Sequence, residues 1–164
     1  MIKYVTREEK TGEFADIMGQ QNDGPISVDQ LALRMRLIEE EFQELHIAVE
    51  DVKWACLGVE RKDDATQLQV LSNLIKELSD LQYVVSGFAS TFGINLDVAF
   101  NRIHQSNLSK LDENGKPVLR DDGKVMKGPN YREPNFEDAA KDLLARVENK
   151  FDKAGFHVEV PDGE

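Results

Sequence analysis

The 164 residues, 40% hydrophobic and 31% charged, are sized and balanced for one domain with a buried core. A net charge of -11 argues against a nucleic-acid partner, which needs a basic stripe; an anionic partner would have to be met through a metal ion or local lysines. No apolar run reaches membrane-spanning length, "MIKYVTREEK" lacks the apolar stretch of an export signal, and the lone Cys56 allows no internal disulfide, so a cytoplasmic protein without a membrane partner is expected.

The first helix is expected from about Thr6 to Gln20, stopped by Gly19 and the "NDGP" turn. Ser27 reads as the N-cap of a long helix to about Leu57, with Asp29 in its first turn, where acid is favoured. "GVERKDD" is a polar connection to a second long helix, about Ala65 to Thr91, which stops at Gly93. Asn95 caps a third helix from Leu96 to about Lys110. In the glycine-rich stretch that follows, "KPVL" and "KVMK" are spaced to pair as a small hairpin. Asn135 caps a final helix, about 136–150, and "FHVEVPDGE" reads as a loosely held tail. No stretch has the composition of a domain linker. The expectation is one all-α domain over 1–164, a bundle of four to five helices with its core at about 27–132 and a glycine-rich hairpin excursion.

The acids of "LIEEEFQELHIAVE" divide when they are placed at 100° per residue. Leu31, Met35, Ile38, Phe42, Leu45 and Val49 form an apolar seam, and Arg36, Glu39, Gln43, His46 and Glu50 form a polar face. Glu40, Glu41 and Glu44 fall on the remaining arc, among Leu33, Leu37, Ile47 and Ala48. The next long helix repeats the pattern. Leu71, Leu74, Leu78, Leu81, Val85 and Phe92 make its seam, and Ser72, Lys76, Ser79, Tyr83 and Ser86 a polar face. Glu77 and Asp80, one turn apart, sit beside Val70, Val84 and Phe88. Carboxylates on partly apolar flanks repel one another when brought together, and a divalent cation removes that cost. Without His or Cys in the set, the ligands favour Mg²⁺, with Mn²⁺ as the alternative. The competing reading is acids at a bundle margin, paired with lysines or arginines of a neighbour.

Downstream, Asn107 and Lys110 share one side of the third helix's end, with the chemistry to meet phosphate oxygens or a sugar hydroxyl. Lys127 and Tyr131 belong to a basic stretch that could close over phosphates, although a solvated hairpin explains it equally well. "DENGKPVLRDDG" lacks the acid spacing and terminal glutamate of a calcium-binding EF-hand loop.

The pattern Glu40-Glu41-x-x-Glu44 followed by Glu77-x-x-Asp80, with "SNLSK" and "GKVMKGPNY", resembles the all-α nucleoside triphosphate pyrophosphatases. The similarity is to a MazG-like branch related to phosphoribosyl-ATP pyrophosphohydrolase and, further off, to dimeric dUTPases. It covers about 30–132, with a gap between Glu44 and Glu77 longer than in compact MazG domains. The resemblance implies Mg²⁺-dependent hydrolysis of an NTP or dNTP to the monophosphate and pyrophosphate. It implies Glu40, Glu41, Glu44, Glu77 and Asp80 as metal ligands and catalytic residues. Asn107, Lys110, Lys127 and Tyr131 would be the nucleotide contacts, in a homodimer or homotetramer. Two alternatives stand beside it: action on phosphoribosyl-ATP in histidine synthesis, and a non-enzymatic helical interaction module.

Overall fold

A computed structural model describes residues 5–58 and 64–147. It is all-helical: α1 (Arg7–Ile17), α2 (Val28–Leu57), α3 (Asp64–Phe92), α4 (Leu96–Leu108) and α5 (Glu137–Leu144). The expected connection at 58–64 lies mostly outside the described residues, as does the tail at 156–164. The long gap between Glu44 and Glu77 is taken up largely by helix, since α2 continues to Leu57 and α3 begins at Asp64. Among the described residues, no helix is long and apolar enough to cross a membrane.

The helix starts follow from local chemistry. Thr6 caps α1 in a reciprocal box with Glu9, Ser27 Oγ accepts from Gln30 N at 3.3 Å, and Asn95 Oδ1 accepts from Val98 N at 3.0 Å. The ends of α1 and α3 share one motif. Gly19 (φ +66°) and Gly93 (φ +68°) adopt the left-handed conformation, and Gln20 N and Ile94 N reach back to Ala15 O and Ala89 O. The final helix departs from expectation. The N-cap is Phe136 and not Asn135, although Asn135 Oδ1 accepts from Glu137 N, and α5 ends at Leu144, with Val147 bridging in parallel to Ile26.

α3 is the central element, with α2 packed along one side of it and α1 along another. The α1 contact is made by small residues: Thr11, Gly12 and Ala15 meet Ser86 and Ser90, and Thr11 Oγ1 donates to Ser90 Oγ at 3.2 Å. Ser86, expected on a water face, is therefore buried, because α1 covers that side of α3. The segment between α1 and α2 crosses the C-terminal end of α3. There Asp23 N and Gly24 N donate to Ser90 O and Thr91 O, carbonyls of the last turn of α3.

The expected apolar seams are partly buried within one chain: Phe92 is enclosed, and Leu31, Ile38, Val49, Leu74, Leu81 and Val85 are half-buried. On α2 the buried stripe runs through Arg34, Leu37, Glu41, Leu45 and Ala48, while Met35 and Phe42 are exposed. On α3, Leu71 and Leu78 of the expected seam are exposed, and Glu77 is buried. Each long helix has two apolar arcs, and the inward face draws on both, taking Glu41, Glu77 and Asp80 from the acidic arcs.

Beyond α3, the chain straps itself to α4. Arg102 forms a two-pronged bridge to Asp138 (2.5 and 2.6 Å) and donates to Asn135 O, while Ser106 Oγ donates to Arg132 O at 2.8 Å. "KPVL" and "KVMK" pair as expected: Leu119 bridges Val125 in antiparallel sense, and Met126 N donates to Val118 O at 2.7 Å.

Candidate active site

The packing of α2 on α3 brings Glu41, Glu77 and Asp80 together, with one carboxylate oxygen of each within 4.8 Å of the others. Glu77 is the most enclosed, at 6% exposure, and its position beside the α2 contact follows from the stripe it shares with Val70, Val84 and Phe88. Glu40 and Glu44 stay outside this group and are exposed, because they lie to one side of Glu41 around α2. Glu44 still acts on the cluster. The Glu41 carboxyl is held above its ordinary range by burial first, then by repulsion from Glu44, Asp80 and Glu77.

Lys76 is the one cation at the cluster among the described residues. Its Nζ lies 3.0 Å from Glu77 and 2.9 Å from Asp80 and stands where positive charge is needed. Those two carboxylates hold its pKa well above the ordinary lysine value. One ammonium cannot balance three carboxylates, and Lys76 is itself exposed. An all-oxygen set on two facing helices, short of positive charge, suits a hard divalent cation.

The downstream residues gather elsewhere. Lys110 Nζ donates to Asn107 Oδ1 at 2.7 Å, and Lys127 Nζ sits 4.2 Å from the Tyr131 ring centre and 3.1 Å from Glu133. Gly128 N donates to Lys110 O and ties the two pairs into one patch at the end of α4. Among the described residues, no hydrogen bond or ion pair joins this patch to the acid cluster.

Sequence reasoning passed over two residues that the structure places near the site. Lys76 belongs to the polar face expected of α3, and Arg34 to none of the faces expected of α2. Arg34 is seven residues before Glu41, so the same 100° arithmetic puts it on the buried stripe. The signal was present, but a cation there has meaning only once the opposite wall is known.

No curated protein matches this chain. Among solved structures, it is similar to a "putative NTP pyrophosphohydrolase" from Exiguobacterium sp. 255-15, at 20% identity over 93% of this chain and 100% of that one, with a TM-score of 0.44. Residues 11–107 match the family model for phosphoribosyl-ATP pyrophosphohydrolase, a stretch that runs from within α1 nearly to the end of α4 and contains both acidic helices. This chain is a member of the phosphoribosyl-ATP pyrophosphohydrolase family.

Proposed function

We propose that this protein is a Mg²⁺-dependent pyrophosphohydrolase that converts a nucleoside triphosphate to its monophosphate and pyrophosphate. The observation that carries the reading is the convergence of Glu41, Glu77 and Asp80 from two helices of a family member. These three carboxylates would hold the metal, with Mn²⁺ as the substitute. When bound, the metal supplies charge neutralisation for the triphosphate and a more acidic water. Lys76, displaced from Glu77 and Asp80, is placed to turn toward the phosphates. Glu40 and Glu44, exposed beside Glu41, complete the acidic edge and include the acceptor for the attacking water's proton.

In this reading Asn107, Lys110, Lys127 and Tyr131 are nucleotide contacts, supported by their assembly into one basic patch. Lys110→Ala should then raise KM and leave the response to Mg²⁺ intact. Exposed Phe42 and Met35 on α2, with Leu68, Leu71, Ile75 and Leu78 on α3, support a homodimer or homotetramer, which sedimentation would test.

The deciding experiment is pyrophosphate release from a panel of NTPs and dNTPs with Mg²⁺. Absence of turnover on every nucleotide, together with an unchanged melting temperature on adding Mg²⁺, would sink the proposal. Phosphoribosyl-ATP is the second reading, favoured by the family match, and it belongs in the same panel.

A further inference from the structure

Arg34 is a buried charge that the acid cluster does not explain. It is 8% exposed and lies on the α2 stripe with Leu37, Glu41 and Ala48. Among the described residues its Nε has no hydrogen-bond partner. Burial holds the guanidinium below its ordinary pKa, with no acid opposing the shift. A buried donor left unsatisfied costs stability, so its placement needs a reason.

The surroundings of Arg34 supply one. It lines a cavity of about 220 Å³ with Phe14, Leu37, Tyr83, Val84 and Gly87. Leu37 lies one turn before Glu41, and Tyr83 and Val84 lie one turn after Asp80. The nearest lining residues thus lie about 5 Å along the helices from the acids, and Arg34 lies about 10 Å along α2 from Glu41. Those separations fit a nucleotide laid along the α2–α3 seam with its phosphates at the acids.

The cavity is smaller than the roughly 300–1,000 Å³ typical of whole-ligand pockets, so it suits a single moiety. Thr11, Gln20 and Ser90 add polar groups to its lining, but most of the wall is apolar. Phe14 and Tyr83 pack edge to face with centroids 6.1 Å apart, which favours a flat ring over a hydrated phosphate. Arginine offers donors and no acceptor. We propose that this cavity takes the nucleobase of the substrate, and that Arg34 selects a base edge carrying acceptors, such as O6 and N7 of guanine, over an edge carrying an amino group. This inference rests on the proposed function, which puts the phosphates at Glu41, Glu77 and Asp80.

The test is calorimetric binding of GMP and AMP to the full chain in saturating Mg²⁺, where these monophosphates have no pyrophosphate to release. Wild type should bind GMP about tenfold more tightly than AMP, the scale of one well-made base contact. Arg34→Met should lose the preference, with AMP affinity little changed and a melting temperature at or above wild type. If the Met variant does not fold, Arg34→Lys serves: it keeps the charge but not the planar fork, and most of the preference should go.

Three results would overturn the inference. These are equal affinities in wild type, a GMP preference that survives both variants, and displacement of GMP by inorganic phosphate that depends on Arg34. The last would make the cavity a phosphate site. Failure here and failure of the proposed function are distinguishable. Turnover with a base order untouched by Arg34→Met removes only the inference. Arg34-dependent GMP binding without hydrolysis of any nucleotide removes only the enzyme.

Discussion

Replacing Glu41 with glutamine removes one charge from a cluster whose carboxylates approach within 4.8 Å of one another. At that separation two unit charges repel by about 3.5 kcal/mol at an effective dielectric constant of about 20. The Glu41 pKa is raised by burial first, then by repulsion from Glu44, Asp80 and Glu77. Lys76 cancels part of the repulsion, and solvent around its exposed ammonium screens part of the remainder. The net relief is about 1–2 kcal/mol, a rise of about 2–8 °C in melting temperature for a chain of this length.

The sign can be checked by pH. The Glu41 carboxyl sits above its ordinary value of 4.5, so the folded state holds that proton more tightly than the unfolded state. Its stabilising contribution is complete below pH 4.5 and is lost as pH rises through the folded value. Glu41→Gln escapes that loss. Calorimetry in EDTA should find the variant above wild type near pH 7 and level with it near pH 4. Saturating Mg²⁺ should raise the wild-type melting temperature, by about 2.7 kcal/mol of stability at one hundred times Kd, and the variant's much less. A variant that melts below wild type near pH 7 in EDTA, or that keeps the full Mg²⁺ response, would refute the reasoning.

Asp80→Asn should reduce kcat by at least about a hundredfold, with helix content by circular dichroism unchanged; near-normal turnover would remove Asp80 from the site. Gly93→Ala should cost about 1–3 kcal/mol in urea unfolding, because φ is +68° and the new methyl would overlap the Asp23 carboxylate and Arg146 guanidinium. Hydrogen bonding to Arg102 holds the Asp138 carboxyl well below its ordinary 3.8. The pair's contribution is therefore full above pH 3.8 and lost as pH falls through the folded value. Wild type should outmelt Asp138→Asn near neutral pH, with the gap closing in acid; a gap independent of pH would assign the effect to packing.

Much of the fold was legible because it is encoded locally. Ser27, Asn95, Gly19 and Gly93 set helix ends through caps and left-handed turns that need no distant partner. The acids of the cluster were legible too, since helical periodicity separates Glu41, Glu77 and Asp80 from the solvated Glu39. Periodicity places residues on a helix but does not say which of two apolar arcs faces inward. Only the packing of α2 and α1 on α3 decided that. It exposed Met35, Phe42, Leu71 and Leu78, buried Ser86, and turned the acidic arcs toward each other. It also left Glu40 and Glu44 at the rim, because convergence on one point depends on distances between helices, which no single helix's sequence contains. The same packing enclosed Arg34 without a partner. A lone arginine has no meaning in a sequence until the opposite wall of its cavity is known.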